Sequence, residues 1–381
     1  METVCEYSKC AGCMACVDIC PKGAITIQDN LDAYNAVIDT DKCVDCNACH
    51  RVCQQNHPVV GSEPIQWYQG WAGDEDLRSK CSSGGAATAL SKAFVEKGGV
   101  VCSCVFHEGQ FAFDFAERLE DVGKFTGSKY VKSNPLGIYR KIKKKLRDGQ
   151  RVLFIGLPCQ VSALKNYVGA DSDNLYTIDL ICHGTPSPEL LEMFVAQYGY
   201  SLANISSIDF RRKAKFQIKR DLSPIITAGV TDRYSIAFLK GLIYTDNCYS
   251  CKYANTKRVA DITLGDSWGS TLPVDMIKLG VSLILCQTTK GLELVNDSGL
   301  VLKDVDVENA IERSRQLKHP SKAPSKRAYF FKGIAKGRKF NNLVLQCLPK
   351  DSIKQDIKEI LIHLHLFGGG GRLTYQITIE A

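Results

Sequence analysis

The chain has 381 residues, 45% of them hydrophobic and 23% charged, which is typical of a globular protein of two or three domains. Its 18 cysteines would suit a disulfide scaffold only in a short secreted chain, and the start METVCEYSKC lacks the features of a secretory signal. Because no apolar run is long enough to span a bilayer, we expect a cytoplasmic protein whose cysteines serve metal or redox chemistry.

Charge is distributed unevenly along the chain. Residues 1–58 carry eight acidic and four basic side chains, a net charge of −4, and the whole chain carries +7, which leaves +11 on the remainder. An acidic segment followed by a basic one indicates separate modules. The stretch 54–66 contains two prolines and a glycine and is predicted to be a linker, across which few contacts are expected.

The predicted elements change character after this linker. Residues 1–58 contain two short strand-like pieces, AITIQD and NAVIDT. Beyond Trp67, predicted strands (GVVCSCVF, RVLFIGL, LYTIDLIC) alternate with predicted helices (GGAATALSKAFVEKG, IYRKIKKKLRDG, CQVSALKNYV, SPELLEMFVAQYG). This alternation predicts an α/β body, with mixed α+β character after Asp209, where strands are expected around DFRRK, DITLGD and VSLILCQT. The last fifty residues are predicted to be helical and basic, and the end FGGGGRLTYQITIEA a flexible connector.

Two cysteine runs in the first segment have the spacing of bacterial dicluster ferredoxins. Three cysteines of each run hold one 4Fe-4S cluster and the fourth ligates the other cluster. The first predicted set is Cys10, Cys13, Cys16 and Cys53, and the second is Cys43, Cys46, Cys49 and Cys20. Structural zinc is the alternative, but zinc sites take their ligands as two separated pairs. Cys5 lies outside the pattern and is predicted to be a spare thiol.

Five stretches of the body carry a resemblance to a known family: CSSGGAATAL, GSKYVKS, FIGLPCQVSALK, DLICHGTPSP and CYSCKYANTKRVADITLGDSWG. With these motifs in this order over roughly residues 1–340, the chain resembles the coenzyme F420 hydrogenase/dehydrogenase beta-subunit family with an N-terminal ferredoxin module. The resemblance implies FAD, a further 4Fe-4S cluster in the body, and reduction or oxidation of a small substrate. It also matches Asp266 and Trp268 to a family motif, although an isolated tryptophan is commonly core.

Two loops are predicted to bind the flavin. Small residues before a helix let backbone N–H groups approach a phosphate, so the first loop is the quartet Ser82, Ser83, Gly84 and Gly85. A serine N-cap with a tight turn is the alternative, which the resemblance makes less favoured. The second loop contributes Ser128 and Lys129, and Lys129 would pair with a phosphate or lie beside the flavin unless it is a surface lysine.

The pair Cys248 and Cys251 needs partners to hold a cluster. Cys159 follows one predicted strand and Cys182 the next, and the carboxyl ends of neighbouring parallel strands meet in space. We therefore predict a third cluster on Cys159, Cys182, Cys248 and Cys251. The alternatives are zinc at Cys248 and Cys251, and inert buried thiols at the other two. The remaining cysteines are predicted to be inert: Cys81, Cys102, Cys104, Cys286 and Cys347.

His183 is the predicted acid or base beside the flavin, with a turn histidine as the alternative. His363 and His365 alternate within LIHLHLF and are expected only to decorate a helix or strand. The basic helix at 140–147 lacks interleaved aromatic residues, so nucleic acid binding is not expected.

Together these expectations describe an iron–sulfur flavoprotein oxidoreductase, because a flavin exchanges electrons singly with clusters and in pairs with a hydride acceptor. The expected partners are ferredoxin or a redox subunit and a small substrate, coenzyme F420 or another metabolite; assembly of identical copies is left open. A non-catalytic electron-transfer subunit is the alternative. The expected domains are a dicluster head (1–58), a flavin-binding body in two parts (67–200 and 201–340, the second with the CxxC cluster site) and a helical, glycine-rich tail (341–381).

Overall fold

The computed structural model of the protein describes residues 2–169 and 172–366. The predicted glycine-rich connector falls on 367–381 and lies outside these residues. The strands are β1 (Ile25–Asp29), β2 (Tyr34–Ile38), β3 (Gln66–Ala72), β4 (Val100–His107), β5 (Gln110–Ala116), β6 (Val152–Gly156), β7 (Leu175–Leu180), β8 (Ile208–Arg212), β9 (Lys215–Arg220), β10 (Ser223–Pro224), β11 (Ile262–Asp266), β12 (Ser282–Cys286) and β13 (Leu300–Lys303).

The α-helices of the same residues pack around these strands. They are α1 (Ala15–Ile19), α2 (Ala48–Val52), α3 (Glu75–Lys80), α4 (Ala86–Glu96), α5 (Ile138–Arg147), α6 (Pro158–Val168), α7 (Pro188–Ala196), α8 (Arg233–Leu239), α9 (Val274–Lys278), α10 (Thr289–Asn296), α11 (Val307–Arg313), α12 (Arg327–Ala335), α13 (Phe340–Cys347) and α14 (Pro349–His363). Within the described part of the chain, none of the helices is both long and apolar enough to cross a membrane.

An eight-stranded sheet forms the centre of the body, in the order β13–β3–β12–β11–β7–β6–β4–β5. The inner strands β4, β6, β7 and β11 run parallel to their neighbours in that order, and the strands outside them pair antiparallel. The predicted mixed α/β architecture behind an N-terminal cysteine-rich region is therefore confirmed. The parallel core brings the carboxyl ends of β4, β6, β7 and β11 to one edge of the sheet, where ligands of such sheets gather.

Both faces of the sheet are covered, because alternate residues of each strand point to opposite sides. In β6, Leu153 and Ile155 belong to one apolar cluster, which includes Phe94 of α4 and Val295 of α10. Phe154 belongs to a second cluster on the other side, beneath α5 and α6. These buried strands are consequently continuous apolar runs, as expected for a parallel sheet between two helical layers.

The cysteine-rich head (residues 2–58 as described) is built from two equivalent halves. Helix α1 follows Met14 and helix α2 follows Asn47, and both residues have left-handed backbone with φ of 62° and 56°. Both helices end at a cysteine, Cys20 or Cys53, with the same φ of −69° and ψ of 115°. The repeated cysteine spacing therefore corresponds to a repeated local structure, and each half sends its fourth cysteine away from its own run in the same way.

The expectation that few contacts would cross from head to body is wrong. Ala15 and Val52 belong to the same buried cluster as Tyr139 and Val161 of the body. The Asp18 carboxylate accepts from the Gly137 N–H at 2.7 Å. Further hydrogen bonds join Tyr253 to Gln54, Asn166 to His57, Ser187 to Asp29 and Arg140 to Asp18. Net charge predicted two modules, but it carries no information about the apolar surface that joins them.

Candidate functional site

The first set of head cysteines lines one cavity. Cys10, Cys13, Cys16 and Cys53 form its wall together with Cys5, and all five are buried. Cys5 was predicted to be a spare thiol, but its hydrogen bond helps to lower the pKa of the Cys53 thiol to about 6. The structure therefore brings together the four cysteines of the first predicted set and adds a fifth beside them.

The second set lies at the surface of the head. Cys20, Cys43 and Cys49 are partly buried against one apolar cluster, and Cys46 is exposed. Burial raises the pKa of Cys49, and the nearby Cys20 and Cys43 act in the same direction. The outer set is thus the part of the head's chemistry that solvent and other proteins reach.

The four body cysteines converge on a second cavity, although they come from three separate segments. Cys159 is the second residue of α6, Cys182 follows the end of β7, and Cys248 and Cys251 lie in and just after the turn 246–250. All four line the same cavity at the carboxyl edge of the sheet. The convergence expected from the strand ends is therefore present in the fold, while the identity of the group they hold stays a prediction.

The donor sets of the two cavities fit iron–sulfur clusters. Each cavity is lined by the four cysteines of one predicted set, and four thiolates are the ligands of a 4Fe-4S cubane. Four thiolates also suit tetrahedral zinc, so the spacing of the head cysteines along the chain, and not the cavity, distinguishes the two.

The inner head site and the body site are neighbours. The wall of the body cavity includes Ala11, Gln54 and Gln55 of the head beside the body cysteines. Cys13 and Cys159 both contribute to the raised pKa of Tyr139, after the larger effect of burial. The three cysteine sets therefore form a series from the exposed outer set, through the inner head set, to the body cavity.

The serine–glycine quartet begins helix α4. Gly85 is its N-cap, with φ of 88°, and a Cβ atom on Gly84 would lie 2.6 Å from the Gly70 carbonyl oxygen and 2.7 Å from the Ser282 nitrogen. Close packing on β3 and β12 therefore accounts for Gly84 without any ligand. Flavin binding at these glycines stays a prediction.

The two predicted flavin loops touch each other. The Ser128 N–H donates to Ser82 Oγ at 2.9 Å. Lys129 donates to the carbonyl oxygens of Phe125 and Thr126 in its own loop, and burial lowers the pKa of its amine. The two loops are adjacent, as they would have to be to bind one cofactor together. The Lys129 amine, however, already has hydrogen-bond acceptors in the main-chain oxygens of its own loop.

Arg211 and Lys213 add positive charge to the serine loop, and the sequence analysis did not select them. Arg211 donates to the Ser82 carbonyl at 3.0 Å and pairs with Asp266 at 2.6 Å. Lys213 donates to the Ser83 carbonyl at 2.8 Å, and burial lowers its pKa to about 8. In the Arg211–Asp266 ion pair, Asp266 belongs to the family motif noted in the sequence. Arg211 lies in β8, and its local sequence gave no indication of a functional role.

His183 lies at the mouth of the body cavity, where its side chain is exposed. Desolvation of the ring by the surrounding protein is the main cause that lowers its pKa; Arg315 and Arg211 add to this shift and Asp266 opposes it. The imidazole is therefore neutral near pH 7 and lies between the body cysteines and the Arg211–Asp266 pair. This is the position that an acid or base acting between these two regions would occupy.

Three buried charged side chains at the body cavity were also not predicted from the sequence. Lys132 lies beside the cysteines in the cavity wall. Arg258 forms an ion pair with Asp179 at 3.0 Å, and the side chains of both residues are almost completely buried. Lys132 is part of the motif GSKYVKS, in which the sequence predicted a flavin-binding role for Lys129 and none for Lys132. A buried cation beside a thiolate cluster can be recognised only when the tertiary contacts are known.

The fold and the three cysteine sets define an iron–sulfur protein of the electron-transfer type. Residues 9–57 match the 4Fe-4S dicluster domain. Residues 67–138 and 149–306 match the N-terminal and C-terminal parts of the coenzyme F420 hydrogenase/dehydrogenase beta subunit. The chain belongs to this beta-subunit family, with a ferredoxin-type domain in front.

A curated relative and a solved structure are among the proteins similar to parts of the chain. The relative is a subunit of the F(420)H(2) dehydrogenase of Methanosarcina mazei, 23% identical over 173 residues, which are 42% of this chain and 49% of the relative. The chain thus matches about half the length of that relative. A chain of the F420-reducing NiFe hydrogenase complex from Methanosarcina barkeri is 20% identical, with a TM-score of 0.46, over 68% of this chain and 91% of its own length.

Proposed function

We propose that the protein is an iron–sulfur flavoprotein oxidoreductase that passes electrons between ferredoxin or a partner subunit and a small hydride-accepting substrate. The substrate is coenzyme F420 or a metabolite of the same redox class. The curated relative belongs to a dehydrogenase of F(420)H(2) by its name, and membership of the same family supports this assignment. Bound clusters would supply one-electron transfer and FAD the exchange between single electrons and hydride.

The observation that carries the proposal is the arrangement of the three cysteine sets. The outer set offers the exposed Cys46 to a partner, and the body set lies at the carboxyl edge of the sheet beside His183. Cys10, Cys16 and Cys53 of the inner head set pack in the same apolar cluster as three cysteines of the outer set, and their neighbours Ala11 and Gln54 line the body cavity. If the cysteine sets served only to stabilise the fold, they would not need to form a series from the surface to a cleft, whereas electron transfer requires such a series.

The residues around the cleft support roles in binding and proton handling. Ser82, Ser83 and Ser128, with Gly84 and Gly85 shaping the loop, would hold the pyrophosphate of FAD near the N-terminus of α4. Lys129 and Lys213 would supply positive charge to that loop. His183, neutral near pH 7, would accept or return the proton that accompanies reduction of the substrate.

Cofactor analysis of anaerobically purified protein tests the proposal. Three cubanes correspond to about 12 iron and 12 sulfide per chain. FAD should co-purify, and the protein should reduce a deazaflavin with reduced viologen as donor. Cys251→Ser should lose about 4 iron, the content of one cubane, and with it viologen-driven turnover.

Cys286→Ser is the matched control. Cys286 is a fully buried cysteine of β12 outside the three sets, so its replacement should leave iron and flavin unchanged. Zinc in place of iron at the body site would refute the third cluster. Full cluster content without flavin or turnover would favour the alternative, a subunit that relays electrons to a partner protein.

A further inference from the structure

Lys132 is a buried cation at the junction of head and body. Its side chain is 5% exposed, and its Nζ donates to the Ala11 carbonyl oxygen at 3.1 Å across that junction. The same Nζ lies 5.0 Å from the centre of the Tyr34 ring. Its methylene chain packs at Gly12, where a Cβ atom would lie 3.0 Å from Lys132 Cδ. The side chain is therefore held in one place by head residues.

The two groups that hold the Lys132 amine do not neutralise it. One is a main-chain oxygen and the other an aromatic face, and no ion pair with a carboxylate joins them in the described ranges 2–169 and 172–366. A buried ammonium is costly unless an opposite charge lies near it. The counter-charge must therefore come from another group at this junction.

Thiolates lie on two sides of the amine. On the head side, the Ala11 carbonyl that accepts from the amine belongs to the residue that follows Cys10. On the body side, Lys132 lines the cavity of Cys159 and Cys182. These two cysteine sets are the anionic groups that face the amine from its neighbouring elements.

We propose that Lys132 is the shared counter-ion of the inner head cluster and the body cluster and raises the reduction potentials of both. The proposal rests on the proposed function, in that it requires clusters at both sites. A cluster held by four thiolates becomes more negative when it accepts an electron, so a fixed cation favours its reduced form. The effect is large because the amine is 5% exposed, and buried charges are screened only weakly.

Lys132 thus acts on electron transfer through the two clusters beside it. None of the outer-set cysteines lines the cavity that Lys132 lines, so the outer cluster should not respond to it. By favouring reduction of two adjacent clusters together, Lys132 keeps their potentials close and makes the step from head to body nearly balanced in free energy. The lysine does not contact the substrate.

A redox titration of the loaded holoprotein tests this assignment. Midpoint potentials of the three clusters are measured by EPR in the wild type, Lys132→Met, Lys132→Arg and Lys252→Met. The outer cluster is identified by its absence in Cys46→Ser. Lys252 is the matched control, because it lines the same cavity and donates to a head carbonyl, that of Gln55, at 2.9 Å, yet is exposed to solvent.

In Lys132→Met, the equilibrium constant for reduction should fall at least tenfold at two of the three clusters, which is 59 mV for one electron. The outer cluster should not shift, Lys132→Arg should stay near the wild type, and Lys252→Met should shift less. Unchanged potentials in Lys132→Met, or an equal shift at all three clusters, would overturn the proposal. So would a shift in Lys252→Met as large as that in Lys132→Met.

Failure of Lys132→Met to load its clusters is resolved by Lys132→Arg. Normal loading and potentials in the arginine variant would show that the charge is what the junction requires. The same loss in both variants would mean that Lys132 serves packing, which refutes the assignment. Wild-type protein without iron would be a different failure, since it would refute the proposed function itself before any titration.

Discussion

The buried ion pair between Asp179 and Arg258 should control the stability of the body cavity. Asp179 lies in β7 and is 0% exposed, and Arg258 is 2% exposed. Arg258 also donates to the carbonyl oxygens of Tyr253 and Leu180, and the Thr263 hydroxyl donates to Asp179. The pair therefore ties the segment that follows Cys251 to two strands of the central sheet.

The magnitude follows from what each substitution leaves behind. Arg258→Met leaves a fully buried carboxylate with the Thr263 hydroxyl as a remaining donor, and breaking a buried pair in this way costs about 3–5 kcal/mol. Asp179→Leu leaves an uncompensated guanidinium and should cost a similar amount. The double variant removes both charges. It loses mainly the hydrogen bonds of Arg258 to the Tyr253 and Leu180 carbonyls and that of the Thr263 hydroxyl to Asp179, each of which contributes about 1 kcal/mol to the free energy of unfolding.

The free energy of unfolding of the four proteins is compared by urea denaturation, with iron content measured in parallel. Each single variant should also lose about 4 iron, the content of one cubane, because the segment after Cys251 is no longer anchored. Arg118→Met, at an exposed arginine, is the control and should change stability by less than about 0.5 kcal/mol. If the effects of the single variants simply added in the double variant, the reasoning would be refuted, since it requires the two charges to compensate each other.

Two further outcomes follow from local geometry. Gly84→Ala should destabilise the protein by about 1–3 kcal/mol with or without flavin, because the new Cβ would meet the Gly70 carbonyl. Gly123→Ala, with open space around the new Cβ, is the control. Equal melting temperatures of the two variants in thermal denaturation would contradict the prediction. Since burial lowers the pKa of Lys213 to about 8, the amine is charged at pH 7 and neutral at pH 9. FAD affinity, measured by fluorescence titration, should therefore fall over this range in the wild type and stay flat in Lys213→Met; a flat wild-type profile would place the phosphates elsewhere.

Much of the chemistry could be predicted because it is encoded locally. Cysteine spacing identifies the head motif without any knowledge of the fold, since the loop wraps its own cluster. Cys159 and Cys182 follow predicted parallel strands, and the rule for strand ends was enough to group them with Cys248 and Cys251. Beyond the sequence itself, the body prediction needed only the rule that the carboxyl ends of neighbouring parallel strands meet at one edge of a sheet.

The unpredicted features depend on distant parts of the chain. Strand β3 contains Gly70 and joins the sheet through antiparallel pairing with β12, about 200 residues later, so its own sequence gave little indication of it. The contact of Gly84 with Ser282 likewise comes from a strand that is distant in the sequence. Lys132 is one of many lysines in the sequence, and only the packing of the head distinguishes it. Tertiary contacts of this kind have no local signature.

The packing between head and body changes what a truncation would do. Sequence composition favours a cut near residue 58 that leaves a folded flavoprotein, but the head supplies Ala15 and Val52 to the core beneath α5 and α6. Removing residues 1–58 should expose that surface and leave the Gly137 N–H without the Asp18 carboxylate. We therefore expect the truncated chain to aggregate or to melt well below the full-length protein, in light scattering and thermal denaturation. Cys46→Ser instead removes a ligand of the outer cluster at an exposed site and should keep the full-length melting temperature while losing the rate with reduced ferredoxin. A monomeric truncated chain with unchanged melting temperature would show that the contacts across the junction contribute little to the stability of the body.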